Sequence, residues 1–343
     1  MTAQEIPMPT LAPRTRRPPN WLERWLGHDV YRTLKGLVTN PMSVAGLILL
    51  GLFFFIAAAA PILAPPLPNS SPYNIPRDGY GDVPKPPGSE WKSRQPPLPF
   101  WWKAVTGKDQ WVHLMGTASG QWDIYYGVIW GTRTALFAGL TITLCGALIG
   151  ITIGAISAYY GGWVDMVFMR ITDLFMAFPF LLTAMTLSAV LTPRLGKSLL
   201  APMIALIVFS WMGFARLLRS DILSLREREY VLAARVIGVR DSRILFRHVL
   251  PNAIFPTLVL ASMRIGSYAI TFAGLSFLGI GAEVGFADWG QLLSFARDWM
   301  TQLREYWYII MYPGVTLVLF VLSWNLVGDA LRDVLDPRLQ GSR

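Results

Sequence analysis

Residues 229–252 read EYVLAARVIGVRDSRILFRHVLPN, and the rest of the chain is read outward from them. The stretch lies between two apolar runs long enough to cross a bilayer. It nevertheless carries Glu229, Arg235, Arg240, Asp241, Arg243, Arg247 and His248, so it does not sit in lipid. Val231, Ala234 and Ile237 recur at helical spacing, Gly238 interrupts them, and Ile244, Leu245, Val249 and Leu250 resume the pattern ahead of Pro251. That order is helix, turn, helix. A basic helical hairpin on one face of a membrane protein is a docking surface for a soluble partner.

Composition sets the class. Of 343 residues, 53% are hydrophobic and 15% charged, with a mean hydropathy of +0.42. Several charge-free runs approach or exceed the ~18–20 residues that span a bilayer, which defines an all-α polytopic membrane protein. The formal charge of +9 would suggest nucleic acid in a soluble chain. Here much of the Lys and Arg lies beside apolar runs, as expected of cytoplasmic loops, and no nucleic-acid motif accompanies it. A single cysteine, Cys145, inside an apolar run gives no disulfide framework and no thiol motif.

In chain order, residues 1–40 form a polar, Pro-rich and basic tail expected in the cytoplasm, where Trp21, Leu22, Trp25 and Leu26 can make one interfacial turn. A first span occupies 41–64. An extracytoplasmic Pro- and Trp-rich segment follows over 65–130, read as a small irregular lid on the outer membrane face. A five-helix core fills 131–330, with further spans near 134–158, 171–191, 198–218, 253–277 and 309–328, and a cytoplasmic tail closes the chain at 331–343. Gly146, Gly150 and Gly154 stand on one stripe of the second span, where they permit close approach of another helix. Pro179 is expected to kink the third. Arg170 and Asp173 are spaced to pair with each other. Eight arginines between Arg216 and Arg247 place that loop, and hence both termini, in the cytoplasm of a multi-pass protein.

The chemistry-bearing motifs are few. An ATP-using chain needs GxxxxGK[ST] to cradle phosphates; the nearest match, Gly196-Lys197-Ser198, has Leu191 where the upstream glycine belongs. His28, His113 and His248 are far apart and form no metal-ligand set, so each reads as a surface or packing histidine. Asp329, Arg332, Asp333 and Asp336 read as an ion-pair cluster at the end of the sixth span. Arg264 is the exception. It lies about 16 Å of helical rise into the fifth span, where a charge is costly unless it faces protein or water. It can meet a carboxylate in a translocation path, or pair with an acid on a neighbouring subunit. A proton-coupled carrier would carry acids at mid-span, and a membrane enzyme a clustered nucleophile or metal set; neither pattern is present.

Residues 229–251 resemble the cytoplasmic coupling loop of bacterial ABC-importer permeases, whose pattern is EAA, three residues, Gly, nine residues, Ile-x-Leu-Pro. Ala233-Ala234, Gly238 and Leu250-Pro251 fall at those places, while Leu232 takes the Glu position and His248 the Ile position. Those two departures, with Glu229, resemble the variant found in the dipeptide and oligopeptide branch. The resemblance covers about 43–64 and 113–340, through NPMSVAGLILL, HLMGTASGQWDIYYGVIWGTRTAL, RITDLFMAFPFLL, SWMGFARLLRSDILSLREREYV, AGLSFLGIG and FVLSWNLVGDALRDVLDPRL. It is nearest to the C-type permease subunit. Ala118, Gln121 and Trp122 replace the usual Asp, Gly and Arg, on the face that meets the binding protein. The resemblance implies a type I ABC-importer permease fold of six transmembrane helices, with no catalytic residues of its own. It implies a heterodimer with a B-type permease, two ATPase subunits that use ATP and Mg, and an extracytoplasmic binding protein, in a bacterial or archaeal plasma membrane. The coupling residues it implies are Glu229, Ala233, Ala234, Arg235, Gly238, Arg243, His248, Leu250 and Pro251. Dipeptides or oligopeptides are the implied cargo, with nickel chelates, opines or small sugar conjugates as the alternative.

Overall fold

The computed structural model describes residues 38–93 and 95–335. The expectations for Trp21 to Leu26, His28, Asp336 and most of both terminal tails fall outside these residues.

Helix α1, Pro41–Leu63, starts where Asn40 Oδ1 accepts the Met42 amide at 3.0 Å and Pro41 occupies the first turn, a position that needs no N–H. Its Leu47, Ile48, Leu52, Phe54 and Phe55 remain exposed, an apolar face matched to lipid, while Phe53 packs on Trp289 and Phe320. Helix α2, Trp102–Thr106, is one short turn in the lid segment.

Helix α3, Ile124–Tyr160, runs 37 residues, well beyond the expected 134–158. The added turns are helical because Asp123 caps them, accepting the Tyr126 amide at 2.7 Å. Their aromatic side chains are not loop residues: Tyr125, Tyr126 and Trp130 are buried and donate to the Leu63, Pro72 and Ala64 carbonyls at 3.1, 2.7 and 2.8 Å. Burial of aromatics with satisfied polar tips outweighed the turn-like composition around them.

The expected third span is two helices, α4 (Gly162–Met176) and α5 (Phe180–Leu195), bent by 85°. Pro179 has no N–H to give and restricts Phe178 before it, so the helix breaks there instead of bending gently. Then come α6 (Leu200–Ser210), α7 (Met212–Leu225), α8 (Glu229–Val236), α9 (Asp241–Ile244), a π turn over Leu245–Val249, and α10 (Leu250–Phe277). Helix α11 (Trp289–Ser294) and α12 (Leu303–Leu335) complete the bundle. Among the described residues, five helical stretches are long and apolar enough to cross a membrane, and six if the bent pair is one span.

Helix α3 lies at the centre, packed by α1, α4, α6, α7, α10, α11 and α12. Its Gly146 faces Ser210, and its Gly150 and Gly154 face α7: a Cβ on either would stand 2.5 Å from the Trp211 or Ala215 carbonyl oxygen. The expected Arg170–Asp173 pair is not formed. Asp173 accepts from Arg216 at 2.7 Å instead of pairing with Arg170, because α7 lies alongside and presents its guanidinium directly. Among the described residues of the expected cluster, no ion pair joins Asp329, Arg332 and Asp333, which are exposed on α12.

Candidate coupling surface and mid-bundle cavity

The 229–252 stretch is built from its buried residues outward. Val231, Ile244, Leu245 and Val249 are fully buried against Ala155, Ala158 and Tyr159 of α3, Leu218 and Ile222 of α7, and Ala253 of α10. Helix α8 ends in a Schellman turn. Gly238 has φ +78°, its amide bonds to the Arg235 carbonyl at 3.0 Å, and the Val239 amide bonds to the Ala234 carbonyl at 3.1 Å. Only glycine takes that left-handed conformation without steric cost. The Tyr159 hydroxyl donates to Asp241 Oδ1 at 2.7 Å, and Arg235 lies over the Tyr159 ring at 5.8 Å. Arg226 donates to the Ala158 carbonyl at 3.0 Å, and Arg219 forks onto Asp165 at 2.5 and 2.6 Å. The loop is therefore held on α3, α7 and α10, while the Arg219–Asp165 fork ties α7 to α4.

What it presents is apolar as well as basic. Ile237, placed by its spacing with the buried set, is 78% exposed, as are Val236 (87%), Phe246 (66%) and Leu232 (47%). Glycine at 238 ends the helix one residue after Ile237, which turns that side chain away from the core. Glu229, Ala233, Arg235, Gly238, Arg243 and Pro251 are exposed on the same segment; Ala234, His248 and Leu250 are half-buried. Pro251 does not close a second helix. It sits in the first turn of α10, where its missing N–H costs nothing. The four exposed apolar residues were legible only in part, since periodicity alone does not say which side of a short helix faces the bundle.

The opposite end of the bundle holds a buried polar network that spacing did not reveal. His113 Nδ1 meets Asp123 Oδ2 at 2.7 Å and its Nε2 meets Asp78 Oδ2 at 3.1 Å, beneath the ring of Trp91. Asp78 also accepts from Lys85 and from the amides of Ser93 and Lys92 at 2.6 and 2.8 Å. Burial alone would raise the Asp78 carboxyl, but the bonds from Lys85, His113, Ser93 and Lys92 outweigh it and hold it well below the usual range. This network ties the lid to the start of α3. Asp288 caps α11, accepting the Gly290 amide at 3.4 Å, and burial pushes its carboxyl up to about 6.

Arg264 lies between the two ends. It is exposed on α10 and borders a cavity of about 330 Å³ with Leu260 and Tyr268 of the same helix and residues from both helix breaks. No acidic side chain among the described residues pairs with it.

The described residues thus form a bundle of helices long and apolar enough to cross a membrane, with an exposed basic and apolar loop at one end and a folded segment at the other. Residues 150–341 match the family described as binding-protein-dependent transport system inner membrane component, and residues 30–97 match the N-terminal TM domain of oligopeptide transport permease C. The chain is 33% identical to the dipeptide transport system permease protein DppC of Alkalihalophilus pseudofirmus, over 97% of both chains. It is 40% identical to the glutathione transport system permease protein GsiD of Pectobacterium atrosepticum, over 66% of this chain and 73% of that protein. A chain of the MetNI methionine ABC transporter, in an inward-facing conformation, shares the fold with a TM-score of 0.51 at 19% identity, covering 62% of this chain and 97% of that one. The chain belongs to the binding-protein-dependent transport system inner membrane component family. It is an integral membrane protein with the type I ABC-importer permease fold.

Proposed function

We propose that this chain is the C-type permease subunit of an ATP-driven importer of dipeptides or oligopeptides. It pairs with a B-type permease, two cytoplasmic ATPases and an extracytoplasmic binding protein, in a bacterial or archaeal plasma membrane with both termini inside. Its relatives named for dipeptide and glutathione transport support the cargo. The chain binds no cofactor; ATP and Mg belong to the ATPases, whose closure moves the docked loop and rocks the helices between inward- and outward-open states.

The observation that carries this reading is the surface of an otherwise anchored loop: Leu232, Val236, Ile237 and Phe246 exposed among Arg235, Arg240, Arg243 and Arg247. Such a patch buries apolar area in a partner's cleft while the guanidinium groups meet its carboxylates. Ala233 and Ala234 keep the contact close, Gly238 sets the turn, Glu229 faces the positive end of α8, and His248, Leu250 and Pro251 seat the loop on α10. Ile237→Glu tests it, because so exposed a side chain adds nothing to the fold. The variant is expected to insert normally and to lose about tenfold or more in ATPase association, with ATP-driven peptide uptake in proteoliposomes falling alongside. Wild-type association and uptake would refute the docking role.

A further inference from the structure

The mid-bundle cavity is bordered by a cation with no acidic partner among the described residues. Arg264 is about 20 Å of helical rise from either end of α10, the depth at which an unpaired charge is most costly in a membrane protein. Leu260, Arg264 and Tyr268 are spaced four apart and form one stripe of α10 facing the cavity. The Tyr268 hydroxyl does not compete for a ligand there, because it donates to the Ser210 carbonyl at 3.0 Å. Phe180 lies 6.2 Å from the Tyr268 ring and, with Met176 and Phe178, brings the broken α4–α5 pair to the same cavity. Phe180 is the first residue of α5. A second positive element therefore lines the same cavity as the guanidinium, since the first turn of a 16-residue helix carries amides without intrahelical acceptors. Helices interrupted at mid-depth, with an N-terminus beside the cavity, are suited to anionic groups.

We propose that Arg264 and this cavity form a transient subsite for the carboxylate of the transported molecule, with an apolar side chain of that molecule lying against Met176, Phe178 and Phe180. The guanidinium takes the carboxylate in a forked, charge-assisted pair. A volume of about 330 Å³ accommodates one carboxylate and one aromatic or aliphatic side chain, not a long peptide. The subsite rests on the peptide-import reading and deepens it: the path through this subunit selects for a free carboxylate, independently of the protein that delivers the cargo.

The test uses the assembled complex in detergent and 3-phenylpropanoate, a carboxylate joined to an aromatic ring, as the probe, with 3-phenylpropanamide as its neutral counterpart. Saturation-transfer NMR is expected to show the acid binding about tenfold or more tighter than the amide. Arg264→Gln should remove that preference, and Arg264→Lys should restore much of it. Equal binding of acid and amide by the wild-type complex overturns the proposal, as does an Arg264→Gln complex that keeps the preference. An Arg264→Gln chain that no longer assembles with its partner permease, while Arg264→Lys does, makes an acid of that partner the counterion and also overturns it. Uptake of radiolabelled Ala-Phe by wild-type proteoliposomes is measured in parallel. Absence of uptake with the acid preference intact refutes the peptide cargo and leaves the subsite standing.

Discussion

Replacing Gly150 by Ala probes the close contact between α3 and α7. A Cβ built there lies 2.5 Å from the Trp211 carbonyl oxygen, 2.6 Å from Phe214 Cβ and 2.9 Å from the Ala215 amide nitrogen. Ordinary contacts to carbon are about 3.5 Å, so α3 and α7 must part by roughly 1 Å. Two of the three neighbours are backbone, and no change of rotamer can move them. Overpacking of this kind costs about 1–3 kcal/mol, against about 1 kcal/mol gained whenever a helical glycine becomes alanine. Gly51→Ala isolates the second effect, because nothing lies within 4 Å of a Cβ at that position in α1. Thermal unfolding in nanodiscs, followed by tryptophan fluorescence, should therefore place Gly150→Ala several degrees below Gly51→Ala, given about 2–4 °C per kcal/mol in chains of 150–250 residues and somewhat less here. Equal melting temperatures for the two variants would refute the close packing of α3 on α7. Gly154→Ala should behave like Gly150→Ala, but the double variant should fall short of the sum, since one separation of the helices relieves both clashes.

Asp288→Asn should alter the pH dependence of stability. The folded carboxyl titrates near 6, above the ordinary value of about 3.9, so its contribution is fully present below about pH 4 and is lost as the pH rises through 6. The variant, still able to cap α11, should gain on the wild type by about 3 kcal/mol between pH 4 and 7; parallel melting curves across that range would exclude it. Tyr159→Phe removes the hydroxyl that reaches Asp241, at a cost of about 0.5–1.5 kcal/mol. Amide exchange over residues 237–247 should then accelerate several-fold while the core of α10 is unchanged, and unaltered exchange there would show that the bond does not hold the loop.

Features set by local chemistry were legible in the sequence. Gly238 between two helical patterns announced the turn of the docking loop, and four-residue glycine spacing pointed to a flat stripe on α3, because each signal is carried by residues close in the chain. Features set by partners distant in sequence were not. Arg170 and Asp173 had the right spacing, but Arg216, brought alongside by tertiary packing, takes the carboxylate. His113 looked isolated because its two partners lie 35 residues before it and 10 after, on a segment without regular structure. Pro179 disclosed that the third span is irregular, yet a proline alone does not distinguish a slight kink from the 85° break that opens the Arg264 cavity. Ile237 shows the limit of periodicity: a position one residue before the turn belongs to the pattern and not to the buried face.

The length of α3 has a mechanical consequence. Asp123, at its first cap, is held in the network that anchors the lid, and Tyr159, one residue before its last, holds the 229–252 loop. A single uninterrupted rod of about 55 Å thus joins the two working ends of the subunit. A tilt of about 10° about its midpoint swings each end by about 5 Å in opposite directions. In the proposed importer, a push on the loop would arrive at the lid through continuous helix, with no break along α3 in which the stroke could be dissipated.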